Sequence, residues 1–419
     1  MPGKFVLDCG YCARRHDPSY LGMRCAQCDG PLIVTTDLGP LQAKGPSREA
    51  LRDPRLPGIF GYFALLPISD ARAAISLSEG NTPLTRAGSL AERLGIETLY
   101  LKDETRNPTG SFKDRMLALG VARALELGKK TIAVQSSGNV AAAAAAYAAK
   151  AGLQAKVFVP RTAPDEKLVQ VLMYGADLFR IDHDSPTDIF DLLLWACGEF
   201  GWYFASTAGI YNPFTLEGAK TIAYEIAEQT GFDLPDWVIA PVGGGGNLGS
   251  LWRGFKDLRD LGLVRRLPRM VGVQAAGCAP FVEAIRLGRS AQEALTWRWP
   301  KIETIAGAIA DDVVFDAHIA LPAVRESQGT AVAVSDEESL AMEYALASTE
   351  GIFVEPACAT TLAAVKRLAG EGRIRWRDRV CCVLTGLGFK DMTSARKLVP
   401  AIETIPMSRE AITARVRRG

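Results

Sequence analysis

From about residue 81 onward, short apolar strings alternate with amphipathic stretches. The strings at 98–102, 130–135, 155–160, 177–181, 202–205, 237–242, 270–274, 330–334 and 380–385 have the length and β-branched content of buried strands. Helical spacing fills the intervals at 112–127, 139–151, 165–174, 186–199, 214–229, 247–259, 279–287, 336–349 and 356–369. Strand then helix, repeated, predicts βαβ units and mostly parallel sheet. About nine strands exceed one comfortable sheet. The pattern therefore predicts an α/β fold of two open, mostly parallel subdomains. Ligands in such folds sit between the parts, at strand ends and helix N-termini.

Residues 1–38 lack this periodicity and carry four of the nine cysteines. Residues 39–80 hold Pro40, Gly45, Pro46, Pro54, Pro57, Gly58 and Gly61 and read as a linking arm. No internal repeat is visible.

Charge narrows the field. Lys plus Arg total 48 and Asp plus Glu 47, for a net charge of +1. A near-neutral chain has no global field to draw it to nucleic acid or an anionic membrane. No window approaches the roughly 18 apolar residues of a membrane span. The first residues lack the apolar core of an export signal. With an odd cysteine count, this points to a reducing, cytoplasmic setting.

Cys9-Gly-Tyr-Cys12 and Cys25-Ala-Gln-Cys28 form two CxxC knuckles. Two knuckles offer four thiolates to one tetrahedral ion, a closed and hence structural site of zinc-ribbon type. Iron would fit the same sulfurs. His16, inside the intervening loop, reads as a bystander. Cys197, Cys278, Cys358, Cys381 and Cys382 lie in apolar strings and read as core thiols.

The buried string 237–242 runs into Gly243-Gly244-Gly245-Gly246-Asn247 and then a helix. Glycines let several backbone N–H groups aim at one point, and the helix adds its positive end, making a cradle for phosphate. Gly244, Gly246 and Gly249 also satisfy GxGxxG. A dinucleotide would need an acidic residue ending the next strand, and that strand ends in Gln274 and Ala275. Lys113 follows Asn107-Pro-Thr-Gly-Ser111-Phe at a helix start, with Ser111 a candidate N-cap. The helix dipole there disfavours an ammonium, and a neutral amine can form a Schiff base. Ser136-Ser137-Gly138-Asn139 is another strand-to-helix turn with hydroxyls and N–H groups for an anion, and Thr385 ends a third strand. The adjacent Asp103 and Glu104 read as loop charges, and His183 and His318 as surface or structural residues.

The strings EGNTPL (79–84), NPTGSFKDR (107–115), SSGN (136–139), LEGAKT (216–221), PVGGGGN (241–247), EPACAT (355–360) and TGLGFKD (385–391) together resemble the threonine synthases. These belong to the fold-type-II pyridoxal phosphate (PLP) enzymes, and some carry a four-cysteine module. The resemblance runs from about residue 55 to 395. It implies that Lys113 binds PLP as a Schiff base, Asn139 bonds its phenolic oxygen, Gly243 to Asn247 hold its phosphate, and Thr385 faces its ring nitrogen. It implies that Ser136, Ser137, Gly138 and Asn139 take the substrate carboxylate. It also implies a homodimer, a larger subdomain from 81–114 and 206–400, a small mobile one from 115–205, and a tail at 401–419.

The nominal reaction is O-phosphohomoserine plus water to threonine plus phosphate, by γ-elimination and β-addition. Two positions depart from the pattern. Threonine synthases usually read SGNT where this chain has Val140, and carry Arg before the LEG string where it has Thr215. Arg is the natural bidentate partner of phosphate. Gly209, Ile210 and Tyr211 stand where polar residues are usual; Arg106 and Lys220 are candidate replacements. The alternatives are a threonine or serine dehydratase or a β-replacement synthase in the same family. From other classes come a metal-ribbon module on an idle scaffold and a nicotinamide oxidoreductase.

Overall fold

Strings that are mostly apolar, such as 237–242, present little wet face, so both sides must be covered. A computed structural model, describing residues 4–20, 22–47 and 51–418, satisfies this with two sheets. The larger has six strands in the spatial order Thr330–Val334, Arg269–Ala275, Trp237–Pro241, Arg379–Leu384, Thr98–Asp103 and Leu84–Arg86. The first five run parallel and Leu84–Arg86 closes the edge antiparallel. The smaller sheet orders Asp177–Ile181, Gln154–Pro160, Thr131–Gln135 and Tyr203–Phe204, all parallel. Trp237–Pro241 is buried at every residue.

Two long helices, Lys113–Glu126 and Pro213–Gln229, pack against each other. Their approach depends on Gly218, where a side-chain carbon would stand 2.1 Å from the Arg115 carbonyl oxygen. The helix Asn139–Ala151 is buried from Ala141 to Ala148. Its small side chains let it lie close to both Lys113–Glu126 and the smaller sheet. Gly152 ends it in the left-handed conformation (φ 67°), which a glycine adopts without Cβ strain.

The N-terminal module is a three-stranded antiparallel sheet of Phe5–Cys9, Arg15–His16 and Leu32–Thr36. It docks on the two long helices. Phe5 meets Phe214 edge-on at 5.6 Å, and the Arg123 guanidinium lies over both rings. Arg253 donates to the Val34 carbonyl and pairs with Glu217 at 2.6 Å.

Some elements were not expected. The helices Gly88–Leu94 and Ala317–Glu326 and the edge strand Leu84–Arg86 have no counterpart in the sequence pattern. The arm holds the helix Gly39–Ala43 and the 3-10 segment Gly58–Leu65. The tail ends in an exposed helix, Arg409–Arg418. Among the described residues, no helix is long and apolar enough to cross a membrane.

Candidate active site

Lys113 opens its helix, after Phe112 in the capping position. Its Nζ donates to Thr207 Oγ1 at 3.4 Å. Burial lowers its pKa, while Asp311, Asp316 and Glu355 pull the other way. Desolvation wins because the neutral amine loses less on leaving water than the ammonium does. Ser111 is not the cap. Its hydroxyl is buried without a partner, and the turn is closed by Asp114, which accepts from the Thr109 N–H and Oγ1, each at 2.8 Å.

The glycine loop lies beside this amine, as its interactions with Asp311 and Asp316 require. Gly245 has φ 101°, and a side-chain carbon there would meet Ala320 Cβ at 2.7 Å. The helix Gly246–Asp260 starts next, so its first N–H groups face the loop. Asn247 is buried with both side-chain polar atoms unpartnered. Two acids close on the loop. A side-chain carbon on residue 243 would lie 2.6 Å from Asp311 Oδ2, and one on residue 246 would lie 2.7 Å from Asp316 Oδ2. Asp311 Oδ2 also stands 3.4 Å from where a side-chain carbon on residue 244 would be; its carboxyl is pushed up, chiefly by burial. Asp316 accepts the Ile210 N–H at 3.2 Å, and burial raises it to about 7.

The opposite side carries the other expected residues. Ser136 and Ser137 are half-buried and Gly138 is exposed. Ser136 Oγ accepts the Gly138 N–H at 3.1 Å. Asn139 Nδ2 donates to Glu355 Oε1 at 2.9 Å, tying the two subdomains together. Glu355 fits there only because residue 386 is glycine; a side-chain carbon would overlap Oε1 at 1.5 Å. Thr385 is buried against Cys358, whose sulfur accepts the Thr385 and Gly386 N–H groups at 3.1 Å each.

Behind the lysine helix lies a buried ionic network. Arg115 binds Glu104 at 2.6 and 2.8 Å and Glu225 at 2.7 and 2.7 Å, and Lys102 reaches Glu225 at 2.7 Å. Glu104 is therefore not a loop charge. It is fully buried, while Asp103 caps Thr105.

The sulfurs of Cys9, Cys12, Cys25 and Cys28 lie within 4.8 Å of one another. Ala13 and Asp29, each following a knuckle, both have positive φ (57° and 55°), so the two turns repeat one geometry. Gly30 leaves room for the Cys9 and Cys28 sulfurs. His16 lies outside this four-sulfur group, with its Nε2 3.3 Å from Cys25 Sγ. Burial opposes a thiolate at Cys25, but hydrogen bonds from Gln27, His16, Cys28 and Cys12 bring its pKa to about 6. The other five cysteines are buried, as expected. His183 is exposed, and burial pushes His318 down to about 3.

Thr207, Glu355, Asp311, Asp316 and Cys358 were not anticipated as site residues. Glu355 and Cys358 stand inside the EPACAT string, which carries the only advance signal. The aspartates lie in a stretch without a motif.

Comparison with known proteins agrees with this geometry. The family model for pyridoxal-phosphate dependent enzymes matches residues 75–386. The threonine synthase of Methanocaldococcus jannaschii is 40% identical over 388 residues, covering 92% of this chain and 93% of the relative. That of Methanosarcina acetivorans is 39% identical over 388 residues, with 92% of each covered. Maize serine racemase shares the fold, with a TM-score of 0.65 at 22% identity, over 76% of this chain and 92% of that one. A desolvated lysine facing a glycine loop thus meets a family match across most of the chain, which belongs to the pyridoxal-phosphate dependent enzymes as a homologue of the threonine synthases.

Proposed function

We propose that this chain is a lyase that removes a β- or γ-substituent from an α-amino acid, nominally converting O-phosphohomoserine and water to threonine and phosphate. The carrying observation is the lowered proton affinity of Lys113 beside the glycine loop. The residues present fit PLP. Asn247 has two buried, unpartnered polar atoms, and a carboxyl oxygen of Asp311 already lies over the loop. In this reading residues 243–247 hold the cofactor's phosphate, Lys113 its aldehyde, Asn139 its phenolic oxygen and Thr385 its ring nitrogen. When bound, PLP withdraws electrons from the substrate's α-carbon.

Lys113 Nζ, its proton affinity lowered by burial, takes the proton from that carbon and returns it later. The turn from Ser136 to Asn139 holds the substrate carboxylate with hydroxyls and N–H groups. Glu355 orients Asn139 through the 2.9 Å bond. Four thiolates at Cys9, Cys12, Cys25 and Cys28 hold a structural zinc ion, supported by the clustering of their sulfurs. The enzyme works in the cytoplasm as a homodimer; a mass measurement in solution checks the dimer.

A second reading has a specific observation behind it: the departing group is not phosphate. Val140 is apolar, and the Thr215 hydroxyl is fully buried and spent on the Ser206 and Asn212 carbonyls at 2.7 and 3.0 Å. Lys220 does not replace the missing arginine, because it is locked to Glu217 at 3.0 Å and Asp257 at 2.5 Å. Arg106 is exposed. The deciding assay offers the purified enzyme O-phosphohomoserine and threonine separately. Phosphate release with little 2-oxobutyrate supports the nominal reaction, and the reverse supports a dehydratase. Neither product, from a protein that carries the cofactor, rejects both.

A further inference from the structure

The glycine loop already has an acid of its own. Asp311 Oδ2 sits so close over Gly243 that a side-chain carbon there would lie 2.6 Å from it, and one on residue 244 would lie 3.4 Å from the same oxygen. A phosphate cradle works by offering unpaired N–H groups. Here a carboxyl, a group of the ligand's own chemical kind, already stands over them.

The backbone of residue 311 is tied on both sides. The Asp311 carbonyl accepts the Cys278 thiol at 3.3 Å, and the Asp312 carbonyl accepts the Trp299 N–H at 2.7 Å. Asp312 points its own carboxylate to Arg298, at 2.8 Å. Lys113, Asp312, Asp316 and the Cys278 thiol are the titratable groups that interact with the Asp311 carboxyl. Of these only Lys113 favours the charged form, and Lys113 is the amine that the cofactor would consume.

We propose that Asp311 is a built-in competitor for the phosphate cradle and sets how tightly the chain holds its cofactor. This rests on the assignment of residues 243–247 to the phosphate. On loading, the Asp311 carboxyl rotates away from the loop or takes up a proton. Either step costs binding free energy. Removing the charge therefore tightens binding, and so does a pH low enough to protonate the acid.

The test is equilibrium dialysis of the full-length protein against graded PLP, reading bound cofactor from the absorption band of its lysine-bound form. Asp311→Asn is expected to lower the dissociation constant roughly tenfold or more at pH 8, the scale of one uncompensated charge at close range. The ratio to wild type shrinks as pH falls and Asp311 protonates in the wild type. Asp312→Asn, which removes an equal charge one residue away, stays near the wild-type value. Asp311→Ala serves as the second variant should the amide fold poorly. Equal or weaker binding by both Asp311 variants overturns the proposal, and so does an equal gain in the Asp312 variant. Absence of the band from every protein, wild type included, would instead sink the cofactor assignment itself.

Discussion

Arg115 is the residue whose loss should damage the fold most. It is fully buried, two positions beyond Lys113 on the same helix. Its guanidinium satisfies both oxygens of Glu104 and both of Glu225, and also touches Thr221 and Thr82. Lys102 completes a set of two cations and two anions, so the network is neutral. Arg115→Met fills much of the volume but leaves two carboxylates facing one ammonium. Breaking a buried pair from one side costs about 3–5 kcal/mol, a large share of the roughly 5–15 kcal/mol that holds a domain folded. Arg115→Lys keeps the charge but loses the planar fork, and should fall between wild type and Met. The informative variant is the double, Arg115→Met with Glu104→Met. It restores neutrality by leaving Lys102 and Glu225 as a matched pair, so it should lose less than Arg115→Met alone. Urea unfolding followed by circular dichroism gives the three values. A single variant within about 1 kcal/mol of wild type, or a double whose losses simply add, would refute the idea that charge balance governs this region.

Other expectations follow from single contacts. Lys113→Ala should abolish the visible absorption of the lysine-bound cofactor, and an unchanged band would remove Lys113 from that role. Gly218→Ala should cost at least about 2 kcal/mol, since the new carbon would press on the Arg115 carbonyl at 2.1 Å; a thermal melt within a degree of wild type would contradict this. Glu343 is buried with both oxygens unpartnered, and burial, then Asp391 and Glu355, raise it to about 7. A raised carboxyl contributes stability that is fully present below its unfolded value near 4.5 and lost as pH rises through 7. Glu343→Gln should therefore gain on the order of 2 kcal/mol over wild type above pH 7 and nothing below pH 4.5, read from denaturation midpoints across that range. Elemental analysis of the purified chain should find about one zinc ion per molecule. Cys25→Ser should lose it while keeping the cofactor band.

The parallel sheets were legible because their central strands, Trp237–Pro241 above all, are apolar throughout, and the rest alternate with helical spacing. The glycine loop and Lys113 were legible because each pairs a local backbone demand with a strand-to-helix junction. What escaped notice depended on distant partners. Glu104 looks like half of a solvated acidic pair until Arg115, eleven residues on, is seen to turn back onto it. Asp311 and Asp316 sit in a segment without periodicity, and their meaning comes from loop residues about seventy positions earlier. The contact of His16 with a sulfur nine residues away comes from the fold alone. Leu84–Arg86 is too short for a pattern to register, and Ala317–Glu326 carries Pro322 within its span.

The strand Arg379–Leu384 comes last in the larger sheet's chain order yet lies in the middle of it, between Trp237–Pro241 and Thr98–Asp103. During synthesis those two neighbours emerge long before the piece that joins them, and each waits with an unzipped edge. A ribosome that stalls short of residue 379 releases a product whose central seam is open, however much of the rest has folded. Such a fragment exposes two bare strand edges to others of its own kind until nearly the whole message has been read.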